Sequence, residues 1–255
     1  VEVIKNAYAP ILNLGTPFLV LDVPTAELVK VAANAFLATK ISFINAMAEV
    51  AEVSGADAVS LAKAIGYDER IGNKFLRTGI GFGGGCLPKD IRGFMARAEE
   101  LGVGSAVEFL KDVDAINLRR RDRVIALAKS ELGDVRGKRV TMLGISFKPD
   151  SDDLRDSPAL EIAQRLSREG AEVTVHDPVS LSALSEKDPT LQREQDLIEA
   201  VREADLVILG TEWKHYREAD PNTLGAVVST KTVIDGRNVL DVAAWQAAGW
   251  KLIAL

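Results

Sequence analysis

Arg139-Val140-Thr141-Met142-Leu143-Gly144 is the stretch on which the architecture turns. Its central residues run apolar or β-branched without polar alternation and stop at a glycine, as a strand buried on both faces does. Downstream, Ser157-Pro158 opens a helix with serine as cap and proline in the first turn, and Glu172 to His176 reads as the next strand. A helix over 196–204, a strand over 206–210, a helix over 223–228, a strand over 232–235, a helix over 239–248 and a strand over 250–253 follow. Alternating strands and helices of these lengths predict a parallel sheet covered on both faces, Rossmann-like, with ligands at the carboxyl ends of its strands. Residues 180–195 read as a polar, strand-free linker. Asp177 ends the second strand, where a dinucleotide fold would hold a ribose, but Asp-Pro is equally an ordinary turn, so it stays outside the expected site.

Upstream of Gly137 the period is helical. A long helix is expected over 25–53, introduced by Pro24 and closed by Gly55, then a short helix over 57–65, an irregular stretch over 66–87, a helix over 89–101 and another over 106–132 with Gly133 as stop. Between Leu28 and Val53 the long helix is apolar around most of its circumference, which one domain surface does not satisfy, so it is expected to form the core of a homodimer. The fold class is therefore α/β, an all-helical dimerisation region over 1–134 followed by a Rossmann-like domain over 135–255. The opening VEVIKNAYAPILNLG reads as an amphipathic helix with no cap and no initiating Met, and upstream sequence is expected.

Composition narrows the function. A net charge of -6 opposes phosphate-backbone binding, and the run Arg119 to Arg123 is interrupted by Asp122 on a helical pattern, so no nucleic-acid partner is expected. The single cysteine, Cys86, excludes an intramolecular disulfide and favours a cytoplasmic setting. With only His176 and His215 and no cysteine pair, no metal site is expected. No apolar run is read as long enough to span a bilayer, so no membrane partner is expected.

Chemistry concentrates in Thr78-Gly79-Ile80-Gly81-Phe82-Gly83-Gly84-Gly85-Cys86-Leu87-Pro88-Lys89-Asp90. Gly79, Gly81 and Gly84 match a dinucleotide fingerprint only on paper, because no strand precedes them, and Gly85 stands where a phosphate-binding loop needs lysine. What remains is a loop whose glycines expose backbone N–H groups to a ligand and end in a thiol at a helix start. Positive potential from that helix end and from Lys89 favours the thiolate. A lone cysteine after a turn is ordinarily a small buried hydrophobe, but five glycines in seven positions exceed what a structural turn needs. Lys30 and Asn34, one turn apart on the otherwise apolar long helix, form a second constellation that requires polar partners.

Taken together, Ala26 to Leu37 (AELVKVAANAFL), Arg70 to Leu76 (RIGNKFL), Gly81 to Asp90 (GFGGGCLPKD), Gly144 to Pro149 (GISFKP), Asp153-Leu154-Arg155 and Asp235-Gly236-Arg237 resemble the UDP-glucose/GDP-mannose dehydrogenase family. The likeness covers essentially the whole chain in order, and Gly85 departs from it where many members carry serine. The resemblance implies three parts, of which this chain holds the central helical and the C-terminal sugar-nucleotide domains, without the N-terminal domain that is the principal binding site of the cofactor NAD. It implies two successive oxidations of a sugar alcohol at one site. Cys86 would trap the aldehyde, Lys30 would stabilise the oxyanion, Asn34 would position the reacting oxygen or the water, and Asp90 would order that water and assist its deprotonation. Arg70, Arg77, Thr78, Gly79, Ile80, Gly81, Phe82, Gly83, Phe147, Lys148 and Arg237 would bind the nucleotide sugar, with Arg70 able to act across the dimer, and Cys86, Lys89 and Arg155 would touch the cofactor. Continuity of Arg70 to Leu76 points to UDP-glucose, with GDP-mannose or a UDP-N-acetylhexosamine as alternatives. A non-catalytic nucleotide-sugar-binding module is a further reading, as is a purely structural dimer, which leaves the glycine loop unexplained. Without its cofactor domain the chain alone is expected not to turn over.

Overall fold

The computed structural model describes the backbone of residues 1–255 and every side chain except that of Glu186. Two short helices, α1 (Glu2–Ala7) and α2 (Ala9–Leu12), precede the 32-residue α3 (Val23–Ser54). α3 starts two residues earlier than its periodicity suggests because Asp22 is the cap, its Oδ1 accepting from Thr25 N at 2.8 Å, and it ends at left-handed Gly55. α4 (Ala58–Gly66) is capped by Asp57, and α5 (Leu87–Glu100) and α6 (Phe109–Leu132) complete the helical part. α3 crosses α4, α5 and α6, burying Ala35 and Ala38 with Phe82, Ile91 and Leu110, and Ile44 with Ala62 and Leu76.

α3 corrects the expectation about membrane-length runs: by length and composition alone it is apolar enough to cross a bilayer. Its polar residues are nonetheless built into the protein, since Ser42 Oγ donates to Val113 O at 2.7 Å and Asn45 Oδ1 accepts from Gly79 N at 2.9 Å. A lipid-facing helix has no use for such side chains.

The second part is a six-stranded parallel sheet made of β1 (Arg139–Leu143), β2 (Glu172–His176), β3 (Gln192–Arg193), β4 (Leu206–Leu209), β5 (Thr232–Asp235) and β6 (Lys251–Ala254), in the order β3-β2-β1-β4-β5-β6. Leu143 pairs with His176 on one side and Leu209 on the other, so the chain reverses direction across the sheet between β1 and β4. α7 (Pro158–Arg168), capped by Ser157, and α6 cover one face, burying Val124, Ile125, Met142, Ile162 and Leu166. On the other face α9 (Leu197–Val201), α11 (Pro221–Gly225) and α12 (Val242–Ala247) bury Val207, Val233, Trp245 and Trp250. Segment 180–195 is not strand-free: it forms α8 (Leu181–Lys187) and the two-residue edge strand β3. α10 (Lys214–Arg217) was not expected, and α11 lies two residues ahead of the predicted helix because Asp220 caps it at Asn222 and Thr223.

Candidate active site

Three loops leave the carboxyl ends of β1, β4 and β5 next to the reversal in strand order, where sheets of this kind hold ligands. The loop after β1 carries Phe147 and Lys148, that after β4 carries Glu212, and that after β5 carries Arg237 to Val239. Buried carboxylates set two of them. Asp177 at the end of β2 accepts from the N–H groups of Ile145 (2.9 Å), Ser146 (3.1 Å), Val179 (3.1 Å) and Ser180 (2.9 Å). Asp235 accepts from Arg237 N (3.0 Å), Val239 N (2.8 Å) and Leu240 N (2.8 Å).

Against these loops lies the glycine-rich segment, and its backbone explains its composition. The N–H groups of alternate residues, Ile80, Phe82 and Gly84, donate to Gly236 O (2.9 Å), Asn117 Oδ1 (2.7 Å) and Arg155 O (2.8 Å). Those of Gly81, Gly83, Gly85 and Cys86 have no protein acceptor among the described residues. Half of the loop's amides are thus spent on packing, among them the glycine N–H of Gly84, and the other half, three of them on glycines, are left free. The close approach is what excludes side chains: a Cβ on Gly83 would overlap Asp156 O, one on Gly84 would stand 2.8 Å from the Phe147 ring, and one on Gly85 would stand 2.5 Å from the Arg155 guanidinium. Ile80 lies outside the cleft lining: its side chain is fully buried in the sheet core and its N–H is committed to Gly236 O.

Cys86 is the exposed first residue flanking α5, and Asp90 N donates to its carbonyl at 2.8 Å. A cleft of about 750 Å³ opens over it, in the size range of small-molecule sites. Asn34, Arg77 to Gly79, Gly81 to Gly83, Phe147, Lys148, Arg155 and Arg237 line that cleft with Cys86. Lys148 Nζ sits 5.3 Å from the Phe147 ring centroid. Arg155 is exposed and chelated by Asp153 (Nη2 to Oδ2 2.7 Å), which raises its pKa. Arg237 is nearly buried: Nε donates to Gly210 O (2.7 Å) and Nη1 to Gly81 O (3.2 Å), whereas Nη2 has no partner. Glu212 Oε2 stands 3.3 Å from Nε but receives no hydrogen bond, that proton being directed at Gly210. Burial draws the Arg237 guanidinium below its ordinary pKa.

Behind the thiol, Asp90 supplies the partner that Lys30 and Asn34 require. Its Oδ2 accepts from Lys30 Nζ at 3.1 Å and Asn34 Nδ2 at 2.6 Å, and its Oδ1 stands 2.8 Å from Lys89 Nζ. Chiefly the Lys89 contact, then those of Lys30 and Asn34, lower its pKa from 3.8 to about 2 against the opposing effect of burial. Lys89 is therefore turned to Asp90 and lies outside the cleft lining. Arg70 also lies outside it, exposed and paired with Asp68 at 2.6 Å, so within one chain the structure does not bring it to the thiol.

Several residues that build the site escaped the sequence reading. Asn117 clasps Phe82 at both N–H and C=O, Arg120 Nε donates to Gly79 O at 3.0 Å, Asn45 holds Gly79 N, and Asn238 Nδ2 donates to Thr78 Oγ1 at 2.6 Å. The available signal was polar residues at core-facing helix positions, Asn45 on α3 and Asn117 and Arg120 on α6, all buried.

Comparison with known proteins places this geometry among relatives. The UDP-glucose/GDP-mannose dehydrogenase family, central domain, matches residues 24–119, and the same family's UDP binding domain matches residues 141–242. A UDP-glucose 6-dehydrogenase of Rickettsia felis is 35% identical over 257 residues, spanning 100% of this chain and 57% of that protein. One of Rhizobium meliloti is 38% identical over 93% of this chain and 54% of its own length. A solved UDP-glucose dehydrogenase from Pyrobaculum islandicum superposes with a TM-score of 0.83 at 35% identity, over 93% of this chain and 52% of that one. The chain spans about half the length of the relatives it matches.

Proposed function

Because the chain belongs to the UDP-glucose/GDP-mannose dehydrogenase family, we propose that it is the thiol-bearing and nucleotide-sugar-binding portion of an NAD-dependent UDP-glucose 6-dehydrogenase. The observation that carries this reading is one cleft that joins Cys86, Asn34, free loop amides and the cations Lys148, Arg155 and Arg237. In the proposed reaction the C6 alcohol of UDP-glucose goes to the aldehyde and then to the acid. The Cys86 sulfur adds to the aldehyde carbon, giving a thiohemiacetal; its oxidation leaves a thioester, and water displaces the sulfur to give UDP-glucuronate. Lys30 stabilises the oxygen that gains charge at that carbon, and Asn34 holds its geometry. A carboxylate with a pKa of about 2 is a weak base, so Asp90 orders the water and fixes Lys30 and Asn34 more than it removes a proton.

NAD would supply the acceptor for both hydrides. This chain fits only its edge: the exposed Arg155 guanidinium suits a pyrophosphate, but Gly144 packs against Thr211 and the loop after β1 is tied down by Asp177, leaving no glycine bed at the head of the sheet. We assign the nicotinamide's bed to a domain other than these two, and expect this chain alone not to turn over.

We further propose a homodimer through α3 in the cytoplasm, where a free thiol persists. Val29, Phe36, Phe43 and Val50 are exposed on α3 at seven-residue spacing, a seam that a second copy of the helix covers.

Calorimetry with UDP-glucose, GDP-mannose and UDP-N-acetylmannosamine tests the substrate. UDP-glucose is expected to bind most tightly; preference for either of the others reassigns the substrate, and no binding by any of the three refutes the reading.

A further inference from the structure

Leu110, Val113, Asn117, Arg120, Val124 and Ala128 recur every three or four residues along α6, and all are buried. Fully enclosed in that stripe, the Asn117 amide would cost free energy unless both of its groups were paired. Both are, and with a single residue of the thiol loop: Oδ1 accepts from Phe82 N at 2.7 Å and Nδ2 donates to Phe82 O at 3.0 Å. Exchange of two hydrogen bonds with one residue is what an adjacent strand provides in a sheet, and here a side chain provides it to a loop that belongs to no sheet. Among the described residues no other side chain holds both groups of one loop residue; Gly79, by comparison, gives its N–H to Asn45 on α3 and its carbonyl to Arg120 on α6.

A grip on both groups of Phe82 also sets its neighbours, because the N–H and C=O of a trans peptide point in opposite directions and the bonds here are trans. The Gly81 carbonyl must point away from Asn117, and it accepts from Arg237 Nη1 at 3.2 Å. The Gly83 N–H must point away too; it has no protein acceptor among the described residues, and Gly83 lines the cleft over Cys86. The packing leaves no room to shift, since a Cβ on Gly81 would overlap Asn117 Oδ1. We propose that Asn117 is a positioning residue, which orients the two peptide planes flanking Phe82 so that the Gly83 N–H is offered to the ligand and Gly81 is locked to Arg237. This rests on reading the cleft as the nucleotide-sugar site. Asn117 itself touches no ligand and no reacting atom.

The test compares the unmodified chain with Asn117→Leu, Asn117→Ser and Leu166→Ala. Calorimetry gives UDP-glucose affinity, alkylation gives protection of Cys86 by UDP-glucose, and amide hydrogen exchange reads Phe82, all at a temperature where circular dichroism shows the variant folded. Asn117→Leu, close in size, removes both hydrogen bonds and is expected to weaken UDP-glucose by about tenfold, to raise the concentration needed for protection in step, and to speed Phe82 exchange. Asn117→Ser, small enough to admit water to the freed peptide groups, should show the same losses and keeps the test open if Asn117→Leu does not fold. Leu166→Ala, which opens a cavity in the sheet core beneath α7, should lower the melting temperature and leave affinity and protection as they were. Full affinity and protection in folded Asn117 variants, or Phe82 exchange that stays slow in them, overturns the positioning role and leaves the proposed function standing. An equal loss of affinity in Leu166→Ala overturns the role as well, by tracing the effect to stability alone. Absence of both binding and protection in the unmodified chain overturns the function and the role of Asn117 together.

Discussion

Replacing Asp90 by asparagine removes the charge that gathers Lys30, Asn34 and Lys89 behind the thiol. Held at a pKa of about 2 against an ordinary 3.8, the carboxylate contributes up to about 2 kcal/mol to folding at neutral pH, at ~1.4 kcal/mol per tenfold change in protonation equilibrium. Lys30 and Lys89 are 63% and 72% exposed, so solvent screening reduces this to about 1–2 kcal/mol. The sign follows from the depressed value: the contribution is complete above the unfolded pKa of 3.8 and vanishes as pH falls through about 2. Urea unfolding of the unmodified chain and of Asp90→Asn, repeated from about pH 6 down to about pH 2, reads it directly. The two stabilities should differ by a constant amount at the upper end and converge by about 1–2 kcal/mol toward the lower end. A difference that does not change over this range would refute the assignment of Asp90 as an ionised hub.

Gly83→Ala drives a methyl into Asp156 O and sets it 2.7 Å from Pro158 Cδ, so thermal unfolding should show a loss of about 1–3 kcal/mol; an unchanged melting temperature would contradict the tight seam between loop and sheet. Asp177→Ala strips the acceptor from four backbone N–H groups and is expected to cost about 2–4 kcal/mol, with UDP-glucose affinity falling as Phe147 and Lys148 lose their support, whereas a variant of full stability and affinity would show that the carboxylate merely occupies a turn. Phe36→Glu with Phe43→Glu should convert a sedimenting dimer to monomer, and dimers that persist would remove α3 from the interface. Incubation of the 255-residue chain with UDP-glucose and NAD should give no NADH; steady production would show that it holds a complete cofactor site.

Most of the sheet was legible because β1, β4 and β5 are short, largely apolar or β-branched runs ending at glycine or aspartate, and β2 carries two valines in β-branched company before Asp177. β3 was not: Gln192 and Arg193 are exposed, and two residues carry no periodicity. α8 and α10 escaped for a related reason, since helices of seven and four residues offer too few turns for an apolar stripe. The thiol loop announced itself through its glycines, but their purpose was only half readable. Contact with Asn117, Phe147 and Arg155 depends on residues far along the chain, as does the burial of Ile80. Lys30 and Asn34 were recognisable as polar residues needing partners, and Asp90 could be placed one turn beyond Cys86, yet nothing local showed that these two needs meet.

The central claim is that Cys86 is a nucleophile standing in a nucleotide-sugar cleft. Mass spectrometry of the iodoacetamide adduct on Cys86, followed in time near neutral pH with and without UDP-glucose, measures both halves of it. The account predicts alkylation that is rapid in the free chain and slowed by UDP-glucose in a saturable way; a thiol that reacts no faster than free cysteine, at a rate indifferent to the nucleotide sugar, would contradict it.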